Sequence, residues 1–332
     1  MGQIPGRILW VGLFIFLATS IGHAQEKAKD GNPLRITIEE NFVSIYNADK
    51  ALLRYRYHDV PFKPYAQQLF TPAGINILRD APHDHLHHHA LMFAFTVEGV
   101  DFWEEFQAPG RQRHQSWGET KIDKRDNSPR ASFTEKIDWV NPPTKQVLLK
   151  EERTIEAVVV VEPGATLVNW TTEFKLPQGK PSATISGAHY HGLGMRFLES
   201  MDNDKMGEFF NASGEAGKVY RGDERLVRAN WCAYTSHAEG KPVTIAMFAH
   251  PDNIRHPATW FTMKEPFAYL SATMEVYNDP YILRQDEKLL LRYGVMVWDG
   301  TIGPEKIEKA YQARLNACSQ VKRDTDRIGE KS

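Results

Sequence analysis

Two cysteines in 332 residues, Cys232 and Cys318, are too few and too far apart for a CxxC redox pair, a zinc knuckle or a disulfide-stapled scaffold. In an exported chain they could pair with each other or remain two buried thiols. Either way, packing must hold the core. A surplus of one charge is also missing, since Lys+Arg 40 against Asp+Glu 42 gives a formal charge of -2. Nothing is left over to neutralise a phosphate backbone, which argues against nucleic acid as a partner. There is no phosphate-cradling Gly-rich loop, no GxSxG and no HExxH, which disfavours nucleotide-dependent enzymes and the usual serine hydrolases and zincins. Only one long apolar run exists, near the N-terminus, so a polytopic membrane protein is excluded.

That run has the layout of an export signal. Arg7 precedes Ile8–Ile21, fourteen mostly apolar residues, and Gly22-His23-Ala24 places small residues where a signal peptidase reads. Fourteen residues fall short of the ~20 that a spanning helix needs. The expectation is a signal peptide over 1–24, cleavage after Ala24 and a periplasmic or secreted product with no membrane contact thereafter. An uncleaved anchor is the alternative.

What the chain does have is core-forming material: 42% apolar and 11% aromatic residues, enough for one large core. After a polar leader, Gln25–Pro33, short β-rich runs bounded by turn residues follow one another. They are Arg35–Glu39, Phe42–Tyr46, Ala51–Tyr57, Ala90–Glu98, Phe133–Val140, Gln146–Val161, Thr166–Leu176, Ala183–His189, Val243–Ala249, Tyr269–Tyr277 and Lys288–Trp298. The valine run within Glu156–Glu162 reads as a strand covered on both faces. Helical periodicity is confined to the end. There Pro304 opens a helix over about 304–318, with Ile307, Ala310, Tyr311, Leu315 and Cys318 on one stripe and a polar tail, expected to fray, from Lys322. The expected architecture is all-β: a single domain over 25–332, a large antiparallel β-sandwich with a C-terminal helix.

The segment richest in chemistry is Pro82-His-Asp-His-Leu-His-His-His89, which holds five of the chain's thirteen histidines. In an extended chain His83, His85, His87 and His89 would share one face, about 7 Å apart along the backbone, and converge on one ligand. A solvated loop is the plain alternative. His189-Tyr190-His191 repeats the spacing ahead of Gly192-Leu193-Gly194. The polar stretch His250–Pro257 follows a strand, where ligand-binding loops commonly sit. Tryptophans 103, 117, 231 and 260 lie near these loops in sequence, and exposed indoles there would make platforms for a sugar ring. Glu104, Glu105, Glu119, Glu151 and Glu275 are carboxylates suited to acid/base work, which spacing alone does not pair.

Several of these segments carry a resemblance. Asp84-His85-Leu86-His87-His88-His89-Ala90-Leu91 followed by Gly99-Val-Asp101-Phe102-Trp103 resembles the opening signature of the PmoA-like family, exported bacterial proteins of unassigned function. Glu151–Thr154, Gly192–Arg196, Arg228–Trp231, His250–Pro257 with Trp260, Leu291–Tyr293 and Asp299-Gly300 extend the likeness over most of the chain. His89 and Ala90 stand where that family usually carries Arg and Gly, and His189-Tyr-His191 replaces a Lys/Glu-containing stretch. The resemblance implies a sandwich similar to the galactose-mutarotase group. The methane-oxygenase label attached to the family does not suit a chain without several spanning helices.

Together these readings point to a carbohydrate-active enzyme. His85, His87 and His88 would serve as acid/base groups, with Asp84 orienting one ring. His189, His191, Arg196, His250, Asn253, Arg255, His256, Trp103 and Trp260 would bind a carbohydrate or other small polar substrate. No cofactor is required on this reading. A second reading places divalent copper or iron on His85, His87 and another His, and a third makes the chain a non-catalytic glycan-binding module.

Overall fold

The computed structural model describes residues 25–27, 33–60, 62–202 and 204–329, with side chains placed from Pro33 to Ala317. Met1–Ala24, the Cys318 side chain and the tail's side chains lie outside the described residues. Cys232 is a buried free thiol.

Two large sheets of antiparallel neighbours face each other. One has eleven strands, running from Gln25–Lys27 at one edge through Leu91–Ala94, Gly192–Arg196, Tyr269–Thr273 and Thr259–Met263 to the Arg225–Arg228 hairpin. The other has eight, with Leu289–Asp299, Ala165–Lys175 and Gln146–Val160 at its centre and Arg111–Arg125 at its edge. A four-stranded sheet around Ser182–Ser186 lies beside them. The sandwich expected from the spacing of β-rich runs is present, with boundaries close to those read from the sequence. The stretch taken as a leader contributes a strand, Gln25–Lys27, paired with Leu34–Ile38. Tyr65–Leu69, Arg111–Arg125, Trp231–Ala238 and Thr259–Met263 are strands that the sequence pattern did not mark.

Aromatic rings from both sheets meet between them. Phe95 stacks on Trp139 at 4.5 Å, Phe93 on Phe174 at 5.8 Å, and Tyr55 tilts against Phe133 at 5.2 Å. Up to Val160 the valine run is covered on two sides as its composition implied, Ala157 joining this inner core and Val158 a second cluster on the outer face, while Val161 is exposed in the turn that follows. The C-terminal helix, Pro304–Gly329, closes that cluster with Ile307, Ala310 and Tyr311, the stripe read from its periodicity. Among the described residues no helix is long and apolar enough to cross a membrane.

A charged group sits at the centre of the sandwich. Arg153 is fully buried and donates through Nε and Nη2 to both oxygens of Glu151, at 2.7 and 2.9 Å. Its remaining donors reach the Tyr55 hydroxyl, the Pro64 carbonyl and the Gln112 side chain, and its face lies 4.7 Å from the Trp170 ring. Glu151, one of the carboxylates with acid/base potential, is therefore structural. Trp139 and Thr172 donate to it as well. Buried pairs of this kind cost about 3–5 kcal/mol when one partner is removed, because the other charge is left uncompensated. Arg153→Met is expected to lower unfolding stability by that order in urea titration. Glu152→Gln, on the exposed side of the same strand, should stay within about 0.5 kcal/mol. Equal costs at the two positions would show that the central pair carries no special weight.

Candidate functional site

The histidine segment does not run extended. His85 N–H donates to the Pro82 carbonyl and His88 N–H to that of His85, two successive turns closed by an Asp80–His89 bridge. Pro82 and Asp84 favour turns over strand, and nothing β-branched opposes them. The alternation of faces is therefore replaced by a three-residue period. His85 and His88 stack at 4.6 Å, and His87 meets both rings edge-on. His83 is exposed, and Asp84 accepts from Arg196 at 3.2 Å while its carboxylate stands 3.3 Å from His85 Nδ1.

His85, His87 and His88 form one wall of a cavity of about 630 Å³ on the outer face of the eleven-stranded sheet. Glu104, Phe106 and Tyr190 continue that wall. The Arg221–Glu224 turn, Phe261 and the Glu265–Tyr269 segment complete the enclosure. Phe267 is held between the imidazoles and Arg196, whose guanidinium lies 3.6 Å from the ring centre. Two glycines make room for this arrangement. A Cβ at Gly194 would strike the Tyr269 hydroxyl and Trp103, and one at Gly192, at φ +147°, would strike the Ala272 carbonyl.

The next segment supplies what the histidines lack. Asp101 accepts from the backbone N–H groups of Trp103 and Glu104, turning the chain so that two successive glutamates enter different environments. Glu104 faces the cavity, its Oε2 3.4 Å from His87 Nε2. Burial and the nearby Asp101 charge raise its pKa. Glu105 points inward to Lys63 Nζ at 2.5 Å and to His89 at 2.9 Å. Burial would raise its pKa too, but the His89 hydrogen bond and the Lys63 charge outweigh it and hold it ionised. His89 is bracketed by Glu105 and Asp80; those bonds overcome burial and raise its pKa. His87 and His88 move the other way. Burial and neighbouring positive charge lower His87 to about 4 and hold His88 neutral.

The remaining expected residues are dispersed. His191 is buried, stacked on Trp103 at 5.0 Å behind the cavity, and lowered by burial to about 3. Arg196 lies beneath Phe267, buried but joined to Asp84 and Asp202. Trp103 and Trp260 are fully buried, so neither offers a platform. Trp231 is buried too and donates to Glu308 of the helix, while Trp117 packs against Tyr57. His189 packs on Tyr220 and Tyr277 beside the cavity. His250, Asn253, Arg255 and His256 are not among the cavity-lining residues. Asn253 exchanges two hydrogen bonds with the Arg292 backbone, and Arg255 donates to the Met274 carbonyl and to Asp279. Among the described residues no three His, Cys, Asp or Glu side chains stand in a ligand arrangement.

His87, His88 and His191 thus enter the fold neutral. Their folded pKa values lie below the ordinary 6.5, so the unfolded chain takes up protons first and stability falls as pH drops below about 6.5. His89 has the opposite sign: its contribution is complete below the ordinary value and is lost as pH rises through its raised folded pKa. The melting temperature is expected to decline from pH 6.5 to 5, and less steeply in His191→Gln, measured by scanning calorimetry. An undiminished decline in that variant would show that His191 does not contribute.

No curated protein matches this chain. Solved structures give distant likenesses over most of its length. An α-galactosidase from Geobacillus stearothermophilus shares 9% identity at a TM-score of 0.42, covering 84% of this chain and 41% of that one. An α-galactosidase from Lactobacillus brevis shares 7% at 0.43, covering 83% and 40%. This chain therefore spans about two fifths of those proteins. A galactose mutarotase-like protein from Clostridium acetobutylicum shares 8% at 0.36, covering 84% and 98%. A family model matches residues 43–312, a span that holds the whole eight-stranded sheet and every residue lining the cavity, and the chain accordingly belongs to the family of unknown function DUF6807.

Proposed function

We propose that the chain is a sugar-processing enzyme in which Glu104 and His87 transfer a proton within the cavity. The observation that carries this reading is a set of buried polar atoms in cavity-lining residues that find no hydrogen-bond partner among the described residues: His88 Nδ1, Glu104 Oε2, Glu224 Oε2 and the Tyr269 hydroxyl. Buried polar atoms ordinarily find partners, so a group of orphans around one space argues for a ligand that supplies them. Both donors and acceptors are among them. A hydroxyl-rich ring answers such a set, since each hydroxyl donates and accepts. The Phe106, Tyr190, Phe261 and Phe267 rings suit the apolar faces of a sugar.

The protonation states fit the role. At neutral pH His87 is an uncharged imidazole, and Glu104, raised by burial, is a stronger base than an exposed carboxylate. Glu104 Oε2 and His87 Nε2 stand 3.4 Å apart, near enough for a proton to pass between them. Glu104 takes a proton from the substrate, and His87 receives that proton from Glu104 and returns it to the substrate. Hydrolysis, epimerisation and β-elimination all use such a step. The stacked His85 and His88 hold His87 in place.

The resemblance to the PmoA-like proteins and export belong to the same proposal. Gln25 opens the first described strand, so cleavage after Ala24 leaves every described strand intact. N-terminal sequencing of the mature protein is expected to start at Gln25; an intact 1–24 segment in a membrane fraction would overturn export.

Calorimetric titration with glucose, galactose, mannose and xylose tests the site. At least one is expected to bind, and Glu104→Gln to keep affinity within about threefold while turnover falls about 10²–10⁴-fold. Binding with no turnover of any sugar by the wild type would reduce the protein to a glycan-binding module. Failure of all sugars to bind would overturn the cavity's assignment.

A further inference from the structure

The exposed rings of this protein are not spread evenly. Among the described residues, the large exposed apolar and aromatic side chains include Leu86, Phe106, Val219, Tyr220 and Tyr277. Leu86 sits between two cavity histidines, Phe106 lines the cavity, and Val219 and Tyr220 directly precede the Arg221–Glu224 turn that walls it. Tyr277 joins them through His189, whose ring centroid is 3.5 Å from Tyr220 and 4.6 Å from Tyr277. The following residue, Tyr190, lines the cavity itself. An aromatic strip therefore leads out of the cavity over one rim, with Tyr220 44% and Tyr277 53% exposed.

We propose that Tyr220 and Tyr277, held on either side of His189, form a second sugar subsite outside the cavity, so that the bound molecule is an oligosaccharide. This rests on the sugar reading of the cavity and extends it. The rings are braced in advance. Tyr220 N–H donates to the Glu224 carbonyl across the hairpin, and Arg221 closes the same turn onto Glu224 at 2.6 Å. The loop bearing Tyr277 is tied at both ends by Arg255, which donates to the Met274 carbonyl and to Asp279. Arg255, expected to touch substrate, is on this account a positioning residue for the subsite. Rings fixed before binding lose little entropy on contact. A tyrosine presents an apolar face with a hydroxyl at the water boundary, the chemistry that a sugar ring matches. A protein partner is disfavoured because a stable interface takes about 20 residues a side.

The test compares ligands of two lengths on the full chain: whichever of glucose, galactose, mannose or xylose binds, and its linear tetrasaccharide. Calorimetry is expected to show the tetrasaccharide binding about tenfold or more tightly than the monosaccharide. In the Tyr220→Ala/Tyr277→Ala double variant that gain should shrink to about twofold or less, with monosaccharide affinity and melting temperature unchanged. The Tyr277→Phe variant should keep most of the gain, because the ring remains. A tetrasaccharide no tighter than the monosaccharide, or a gain that survives in the double variant, overturns the subsite while leaving the cavity's role intact. If no sugar of either length binds, the cavity reading and the subsite fall together.

Discussion

The buried guanidinium of Arg153 is the constraint around which the molecule is arranged. Taking a charge into an apolar core is costly, and it is tolerable here only because Glu151 meets it with both oxygens and three further acceptors use its other donors. Those acceptors come from different parts of the sandwich, so satisfying the charge fixes their relative positions. One is the carbonyl of Pro64. The residues flanking Pro64 are Lys63, which reaches Glu105, and Tyr65, which donates to Asp80. Gln112 in turn donates to the Phe93 carbonyl, on the strand that follows the histidine turns. The core pair and the walls of the cavity are consecutive pieces of the same network.

From that anchor a chain of alternating charge runs outward: Lys63, Glu105, His89, Asp80. Its consequence is a division of labour between adjacent glutamates. Glu105 spends its charge on Lys63 and His89, while Glu104 lacks such partners and keeps a raised pKa in the cavity. Two carboxylates pushed in opposite directions by their surroundings are the usual physical basis for assigning an acid/base role. Ala90, next to His89, has φ +49°, in the left-handed region that favours glycine.

The sandwich was legible because burial imposes a repeat along each inner strand. Runs such as Gln146–Val160 and Leu289–Asp299 alternate or saturate with apolar residues wherever a face meets the opposite sheet. The edge strand Arg111–Arg125 was not legible, because it pairs with one neighbour and presents charged residues to water. The helix was marked by its stripe, of which Ile307, Ala310, Tyr311 and Leu315 meet the same outer cluster. For the site, composition marked the five histidines of the 83–89 segment, and the successive turns, not the alternation of a strand, brought His85, His87 and His88 to the cavity.

What the amino-acid order determined by itself was therefore local: strand periods, a helical stripe and a concentration of imidazoles. Which polar side chains meet was decided only by the tertiary structure, because those contacts join residues far apart in the chain. Glu104 became the carboxylate of the cavity because the fold turned Glu105 toward Lys63, and Glu151 became structural because Arg153 lay beside it in the core. Asn253 and Arg255 were drawn to backbone groups of Arg292 and Met274 rather than to the cavity. The tryptophans followed the same logic: their large apolar surface gains most from burial, so the fold took Trp103 and Trp260 inward and left the exposed rim to tyrosine and phenylalanine.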